Sequence, residues 1–135
     1  MLTFTKLNKS WNADPNAPFL STEQDSDALI CYFKPNAFKY PEFKDVSRLL
    51  LKFDGCSKFR ITPLNDHGWF EGQCRFSGLA PSWGEFYEIA GDTRDEQDPT
   101  PWIIMQGSGT RHFHFYLRDE ALEVKAQDWS LEIKN

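Results

Sequence analysis

Apolar and polar residues alternate most regularly between residues 110 and 126. From residue 112 to residue 117 the odd-numbered positions are apolar, namely Phe113, Phe115 and Leu117. The even-numbered positions are His112, His114 and Tyr116. Successive side chains of a strand point to opposite faces, so this pattern predicts a strand with one apolar and one more polar face. After a short Arg-Asp segment, the alternation returns at Leu122, Val124 and Ala126. The segment therefore predicts a β-hairpin.

The apolar positions change parity close to the C-terminal end of this hairpin. Leu122, Val124 and Ala126 are even-numbered, whereas Trp129, Leu131 and Ile133 are odd-numbered. A shift of one residue sends every following side chain to the opposite face of a strand. The pattern therefore predicts a β-bulge or a strand break near Gln127 or Asp128.

Shorter segments upstream carry weaker signals of the same kind. The apolar run from Asp27 to Phe33 predicts a buried strand, and Pro41 suits the first position of a single helical turn. Asp54-Gly55, between two apolar runs, is typical of a hairpin turn. Strands are also expected at 73–77 and 84–89, whereas residues 1–26 have no regular period and predict an irregular N-terminal arm.

Many short strands separated by turn residues indicate a mainly β protein. We expect a single domain over residues 1–135, built as an antiparallel β-sandwich or partly open barrel with at most one short helix. The composition adds that the core consists largely of rings, because 12 Phe, 5 Trp and 4 Tyr are present. Each ring buries a large area and favours edge-to-face neighbours.

Acidic residues are concentrated in two segments. The net charge is −5, and one segment carries Glu23, Asp25 and Asp27 while the other carries Asp92, Asp95, Glu96 and Asp98. An acidic chain without a basic cluster repels phosphate backbones, which argues against a nucleic-acid ligand. A basic protein partner fits this charge distribution better.

The cysteines and the N-terminus bear on the cellular compartment. Cys31, Cys56 and Cys74 are an odd number without a Cys-x-x-Cys pair, as expected for small buried side chains in a reducing environment. The N-terminus lacks the apolar core of a secretory signal, and no run approaches the roughly 18 apolar residues of a membrane span. We expect a cytoplasmic protein with no membrane partner.

The pair His112 and His114 raises the question of a metal site. Histidines two residues apart on a strand point to one side and can both bind Zn, Fe or Mn, with Asp119 or Glu120 as a further ligand. This motif resembles the first metal motif of the cupin barrels. Cupins, however, supply another histidine from a later strand, whereas the remaining histidine here, His67, lies upstream. The alternative is that the pair lies on the polar strand face and contacts Glu123 or Lys125 across the hairpin.

Other catalytic patterns are absent from the sequence. There is no Gly-x-Ser-x-Gly nucleophile motif and no complete glycine-rich phosphate fingerprint. We therefore predict no catalytic residues and no cofactor. Trp69, Phe70 and Trp83 lie beside Gly or Pro, where they either cap the core or form a binding platform.

Several motifs resemble a group of small bacterial proteins. These are the segment 84–89, the segment Pro101-Trp102-Ile103 and above all the hairpin 111–126. The resemblance covers roughly residues 48–129 and implies a common fold but no activity. The acidic loop ahead of Trp102 departs from the group's pattern.

Together these features predict a non-enzymatic protein-binding domain. The most concrete version is a bacterial immunity or inhibitor protein that neutralises a basic toxin through its acidic segments. Asp92, Asp95, Glu96 and Asp98 are the first candidates for partner contacts, and Glu23, Asp25 and Asp27 the second. The competing hypotheses are a cupin-like metal enzyme that uses His112 and His114, and a carrier of a small ligand.

Overall fold

The chain forms two antiparallel β-sheets that pack face to face. The structure is a computed structural model that describes residues 2–63, 82, 84–91 and 100–134. It contains a short 3-10 helix, Pro41–Phe43. The strands are β1 Thr3–Lys6, β2 Ser21–Asp25, β3 Ala28–Phe33, β4 Arg48–Asp54, β5 Lys58–Pro63, β6 Phe86–Ala90, β7 Ile103–Ile104, β8 Arg111–Tyr116, β9 Glu120–Ala126 and β10 Asp128–Lys134.

In the part of the chain that the structure describes, six strands form one sheet and four form the other. The first sheet has the order β1-β6-β8-β9-β5-β7, and the second has the order β10-β4-β3-β2. All pairs of neighbouring strands are antiparallel. The expected mainly β fold is thus confirmed as a sandwich rather than a closed barrel. Within the described residues, no helix has both the length and the hydropathy needed to cross a bilayer.

Aromatic rings fill the space between the two sheets, as the composition indicates. Trp11 lies among rings of both sheets, with centroid distances of 5.8 Å to Phe33 and 5.9 Å to Phe115. Phe33 and Phe115 meet edge to face at 5.4 Å, and Phe86 meets Trp129 in the same way at 5.2 Å. Edge-to-face contacts between rings add stabilisation beyond the area that they bury. The N-terminal segment thereby contributes a central residue of the core.

The predicted hairpin of residues 110–126 is confirmed as β8 and β9. Its turn closes with a hydrogen bond from the Leu117 N–H to the Glu120 carbonyl oxygen. Phe113 and Phe115 face the core between the sheets, and Tyr116 packs in a second apolar cluster with Tyr87 on the other side. The buried strand near Asp27 and the helical turn at Pro41 are also present, as β3 and the 3-10 helix.

The first 26 residues are more regular than predicted. They supply β1, which pairs with β6, and β2, which pairs with β3. Each lies at one end of its sheet in the described strand order. Every residue of β2 is exposed, so its sequence carries no apolar alternation. Backbone hydrogen bonds hold such a strand in the sheet, and the pattern of apolar and polar side chains does not reveal them. The predicted strand at 73–77 lies outside the described residues.

The predicted hairpin at Asp54-Gly55 is wrong. The strands on either side, β4 and β5, lie in different sheets, so the chain crosses the sandwich here instead of folding back. Gly55 does adopt the positive φ, 61°, that the dipeptide suggests. The link extends through Ser57, however, and Ser57 donates its backbone N–H to Lys125 of β9. A local turn motif predicts a bend but does not determine which strand comes next.

The predicted break at Gln127 is confirmed. As between β4 and β5, the chain passes here from one sheet to the other. β9 belongs to the six-stranded sheet and β10 to the four-stranded sheet, with Gln127 between them. The core-facing residues change from even to odd numbers because the chain passes to the opposite sheet. The two crossings run side by side, since the Gln127 N–H donates to the Asp54 carbonyl oxygen at 2.9 Å.

A third segment packs against both crossings and leaves no room for a side chain at Gly107 or Gly109. A Cβ added to Gly107 would lie 2.3 Å from the carbonyl carbon of Gly55, and one added to Gly109 would lie 2.1 Å from that of Ala126. The N–H groups of both glycines donate to backbone oxygens of Gly55 and Cys56 at 2.9 Å. We call Gly55, Gly107, Gly109 and Ala126 the crossing corner.

Gly109→Ala is expected to destabilise the fold by about 2 kcal/mol or more, because the added methyl group forces backbone segments apart. Urea unfolding followed by tryptophan fluorescence measures this change. Ser108→Ala, at the exposed residue between the two glycines, is the matched control and should leave the midpoint unchanged. Equal stability of the two variants would contradict the close approach at the crossing corner.

Candidate functional site

The two histidines of β8 lie in a buried polar cluster on the outer face of the six-stranded sheet. β5, β9 and β8 are neighbours there, and the register sets His114 opposite Glu123, and Glu123 opposite Arg60. Arg60, His112, His114 and Glu123 are each at most 5% exposed. The face that the sequence marks as the more polar one is therefore buried, with charged groups inside it.

Glu123 is the centre of this cluster. Its Oε1 accepts a hydrogen bond from Arg60 Nε at 2.9 Å and lies 2.9 Å from Arg60 Nη2. Its Oε2 contacts His112 Nε2. The predicted contact between a histidine and Glu123 across the hairpin is thus confirmed. A buried carboxylate loses its hydration, so its charge requires partners of this kind.

Residues 100–102 cover the arginine of the cluster. Arg60 Nη1 donates to the Thr100 carbonyl oxygen at 3.1 Å, and the guanidinium lies 4.0 Å from the centroid of the Trp102 ring. A guanidinium over an aromatic face gains electrostatic attraction that is strongest when water is excluded. Trp102 therefore helps to hold the buried charge of Arg60. Sequence reasoning missed Arg60, because its neighbours Phe59 and Ile61 give no sign that its own strand face is buried.

The geometry favours an ion-paired network over a metal site at this face. Both oxygens of Glu123 are engaged by Arg60 and His112. In the described part of the chain, no group of three or more His, Cys, Asp or Glu side chains is arranged to hold a metal ion. His67, the further histidine of the cupin-like hypothesis, lies outside the described residues. The candidate platform residues Trp69, Phe70 and Trp83 also lie outside the described residues.

Three of the predicted acidic partner-binding residues lie together on one hairpin. Glu23 and Asp25 belong to β2, and Asp27 lies in the two-residue turn to β3; all three are exposed. The Tyr32 hydroxyl donates to Glu23 Oε2 at 3.0 Å, which raises the pKa of Tyr32. We call Glu23, Asp25 and Asp27 the acidic hairpin. The other four predicted residues, Asp92, Asp95, Glu96 and Asp98, lie outside the described residues.

A cavity of about 420 Å³ opens at one end of the sandwich. Its wall comes from the N-terminal segment 12–16, from Asn36 after β3, from Gly84, and from residues 116–118 at the β8–β9 turn. We call it the end cavity. Sequence reasoning missed it because its parts are far apart in the chain. The only local signal is Asp14-Pro15-Asn16, which is typical of a turn.

Asp14 is the buried carboxylate of the end cavity. Burial alone would raise the pKa of Asp14, but hydrogen bonds from the Asn16 and Ala17 N–H groups, together with the Lys34 charge, hold it below its ordinary value. Those two bonds, of 2.8 and 3.0 Å, both end on Oδ1. Lys34 Nζ lies 3.7 Å from Oδ2. The charge of Asp14 is therefore satisfied within the protein.

The comparisons with known proteins add no relative. No protein-family model, no curated protein and no solved structure matches the chain. The resemblance to small bacterial proteins therefore stays a prediction.

Glu123→Gln is expected to lower the unfolding free energy by about 3 kcal/mol, because it removes the buried carboxylate charge that Arg60 and His112 both contact. Asp54→Asn is the control, since Asp54 pairs with Lys52 at 3.7 Å on the surface and solvent screens that pair. The double change Arg60→Met with Glu123→Leu should cost much less than Glu123→Gln, as urea unfolding measures. If Glu123→Gln matched the Asp54→Asn control, the buried ion pair would not stabilise the fold.

Asp14→Asn should change how stability depends on pH. Because the folded-state pKa of Asp14 lies below its ordinary value of 3.8, its carboxylate stabilises the fold above that value. This contribution is lost as the pH falls through the folded-state pKa. The wild type should therefore exceed Asp14→Asn by roughly 1 kcal/mol near neutral pH, and the difference should vanish at the acid end. A difference independent of pH in urea titrations would contradict this assignment.

Proposed function

We propose that the protein is a binding domain that recognises a basic segment of a partner protein through the acidic hairpin. The observation that carries the proposal is that Glu23 and Asp25, on a strand whose five residues are all exposed, and Asp27, in the turn that follows it, are all exposed. β2 is also the last strand of the four-stranded sheet in the described order. A negative strand in this position attracts a positive partner.

The backbone of β2 has the geometry to accept a further strand. Asp25 and Ala28 close a two-residue turn, and the residue pair that closes such a turn exchanges both of its backbone hydrogen bonds. Hydrogen-bonded pairs recur at every second residue, so the backbone N–H and C=O groups of Glu23 and Ser21 also point toward β3. Thr22 and Gln24 then direct their N–H and C=O groups away from β3. An extended peptide can bind these groups and extend the sheet.

Phe19 supplies an apolar contact beside the acidic hairpin. Its side chain is 73% exposed, two residues before β2 begins. Its φ of 51° is uncommon for a bulky residue and costs conformational energy. Exposed aromatic residues are enriched among the side chains that dominate protein interfaces. The combination of one exposed aromatic residue with acids that follow closely in the sequence suits a partner segment that mixes apolar and basic residues.

Among proteins of this kind, we favour an immunity or inhibitor protein that neutralises a basic toxin. Long-range attraction between an acidic surface and a basic partner accelerates encounter, which an inhibitor of a toxin requires. Asp92, Asp95, Glu96 and Asp98, which lie outside the described residues, are proposed to add further negative charge that attracts the same partner. The cupin-like enzyme has less support, because His112 and Glu123 already contact each other inside the fold.

A labelled peptide of alternating Lys and Thr residues tests the proposal by fluorescence anisotropy. The wild type should bind it, the binding should weaken as salt is added, and an alternating Glu and Thr peptide should not bind. Changing Glu23→Gln, Asp25→Asn and Asp27→Asn together should weaken binding by about tenfold or more. Changing Glu42→Gln, Asp45→Asn and Glu132→Gln together removes three exposed acids elsewhere and should have little effect.

Two outcomes would contradict the proposal: absence of binding by the wild type, or equal losses in the two triple variants. A version of the peptide N-methylated at alternate residues tests strand addition separately, since it keeps the charge but lacks the donors that pair with β2. Acids on an end strand also keep copies of a protein apart. If that were their only role, the acidic-hairpin variant would self-associate in gel filtration while peptide binding stayed unchanged.

A further inference from the structure

We propose that the end cavity is a binding site for a small organic carboxylate. Its volume of about 420 Å³ lies within the range typical of small-molecule sites. Segments from distant parts of the chain form it, and backbone hydrogen bonds join two of them: Asp14 N–H to the Lys34 carbonyl oxygen at 2.8 Å, and Asn36 N–H to the Asn12 carbonyl oxygen at 2.8 Å. The wall is therefore built from paired backbone.

The asparagines of the end cavity are oriented by their own backbone contacts. Asn36 Oδ1 accepts the N–H groups of Phe38 and Lys39 at 3.2 and 3.1 Å, and Asn12 Oδ1 accepts the Ala13 N–H at 2.8 Å. A backbone N–H only donates, so the amide atom that meets it must be the oxygen. The NH₂ groups of Asn12 and Asn36 are thereby left to donate elsewhere. Both residues line the cavity, and we infer that their NH₂ groups are donors to a ligand inside it.

Arg118 adds positive charge to the same cavity. Its Nη1 donates to the Asn16 carbonyl oxygen, which holds the side chain across the opening. Asp119 lies 3.8 Å from Arg118 Nε, but both side chains are more than half exposed, so solvent screens that pair. A guanidinium has five N–H donors in a planar arrangement that matches a carboxylate. The other N–H groups of Arg118 can therefore bind an anion.

The balance of charges and donors selects the ligand class. Asp14 is buried and meets Lys34 and two backbone N–H groups, so the exposed Arg118 carries the more accessible charge of the cavity wall. Donors from Arg118, Asn12 and Asn36 require a ligand rich in acceptors. A carboxylate attached to a polar, oxygen-bearing body satisfies both conditions, whereas an amine or another cation is repelled by Arg118.

Isothermal titration calorimetry with matched probes tests this site. D-glucuronate and D-glucose differ in the carboxylate, and citrate, succinate and lactate extend the range of sizes. At least one carboxylate should bind, and glucuronate should bind about tenfold or more tightly than glucose, because charge-assisted hydrogen bonds are the stronger ones. Absence of binding by all four carboxylates at about 10 mM, or equal binding of glucuronate and glucose, would overturn the proposal.

Asn36→Asp is the sharpest variant for the same measurement. It keeps the Oδ1 acceptor for Phe38 and Lys39, so the fold is retained, but it replaces the amide donor with a negative oxygen. Carboxylate binding should fall by about tenfold or more, while the unfolding midpoint stays unchanged. Arg118→Gln should cause a similar loss. Arg48→Gln, an exposed arginine on β4, is the control and should bind normally. Normal binding by Asn36→Asp and Arg118→Gln would place the anion elsewhere.

Discussion

The close approach of three backbone segments at the crossing corner is the constraint on which the rest of the sandwich depends. Between β4 and β5 the chain passes from the four-stranded to the six-stranded sheet. Between β9 and β10, beside the first crossing, it passes back. Gly107 and Gly109 allow a third segment to pack on both crossings without side chains between them. Because the crossings are joined by hydrogen bonds, they fix how the two sheets are placed against each other. The core rings can then interdigitate in one arrangement.

Side-chain alternation predicted those parts of the fold in which one strand face meets the core. β8 and β9 were recognised because Phe113, Phe115, Leu122 and Val124 alternate with other residues, and the change of parity at Gln127 marked a real change of sheet. The hairpin predicted at Asp54-Gly55 is wrong because turn residues indicate the local backbone conformation but not which strand pairs next. β1 and β2 were missed because backbone pairing at the end of a sheet leaves little trace in side chains.

The same reasoning explains what the sequence revealed of the candidate sites. The contact of Glu123 with His112 follows from hairpin geometry and was predictable. The burial of that contact was not, because it depends on chain segments remote from the hairpin, such as residues 100–102 over Arg60. Composition alone predicted the acidic cluster Glu23, Asp25 and Asp27, but not that these residues lie on a hairpin. Apart from the turn residues Asp14-Pro15-Asn16, the end cavity has no sequence signature, since its asparagines become a set of donors only once the turns that orient them have formed.

Trp11 gives the end cavity a property that a surface loop would lack. This residue packs against rings of both sheets, and the next residue in the chain, Asn12, is already part of the cavity wall. The wall is thus held in place by the core itself and does not have to be ordered when a ligand arrives. Preorganisation of this kind removes much of the entropy cost of binding. It also links the two regions in the opposite direction, because any molecule that binds the wall favours the packed arrangement of the rings behind it.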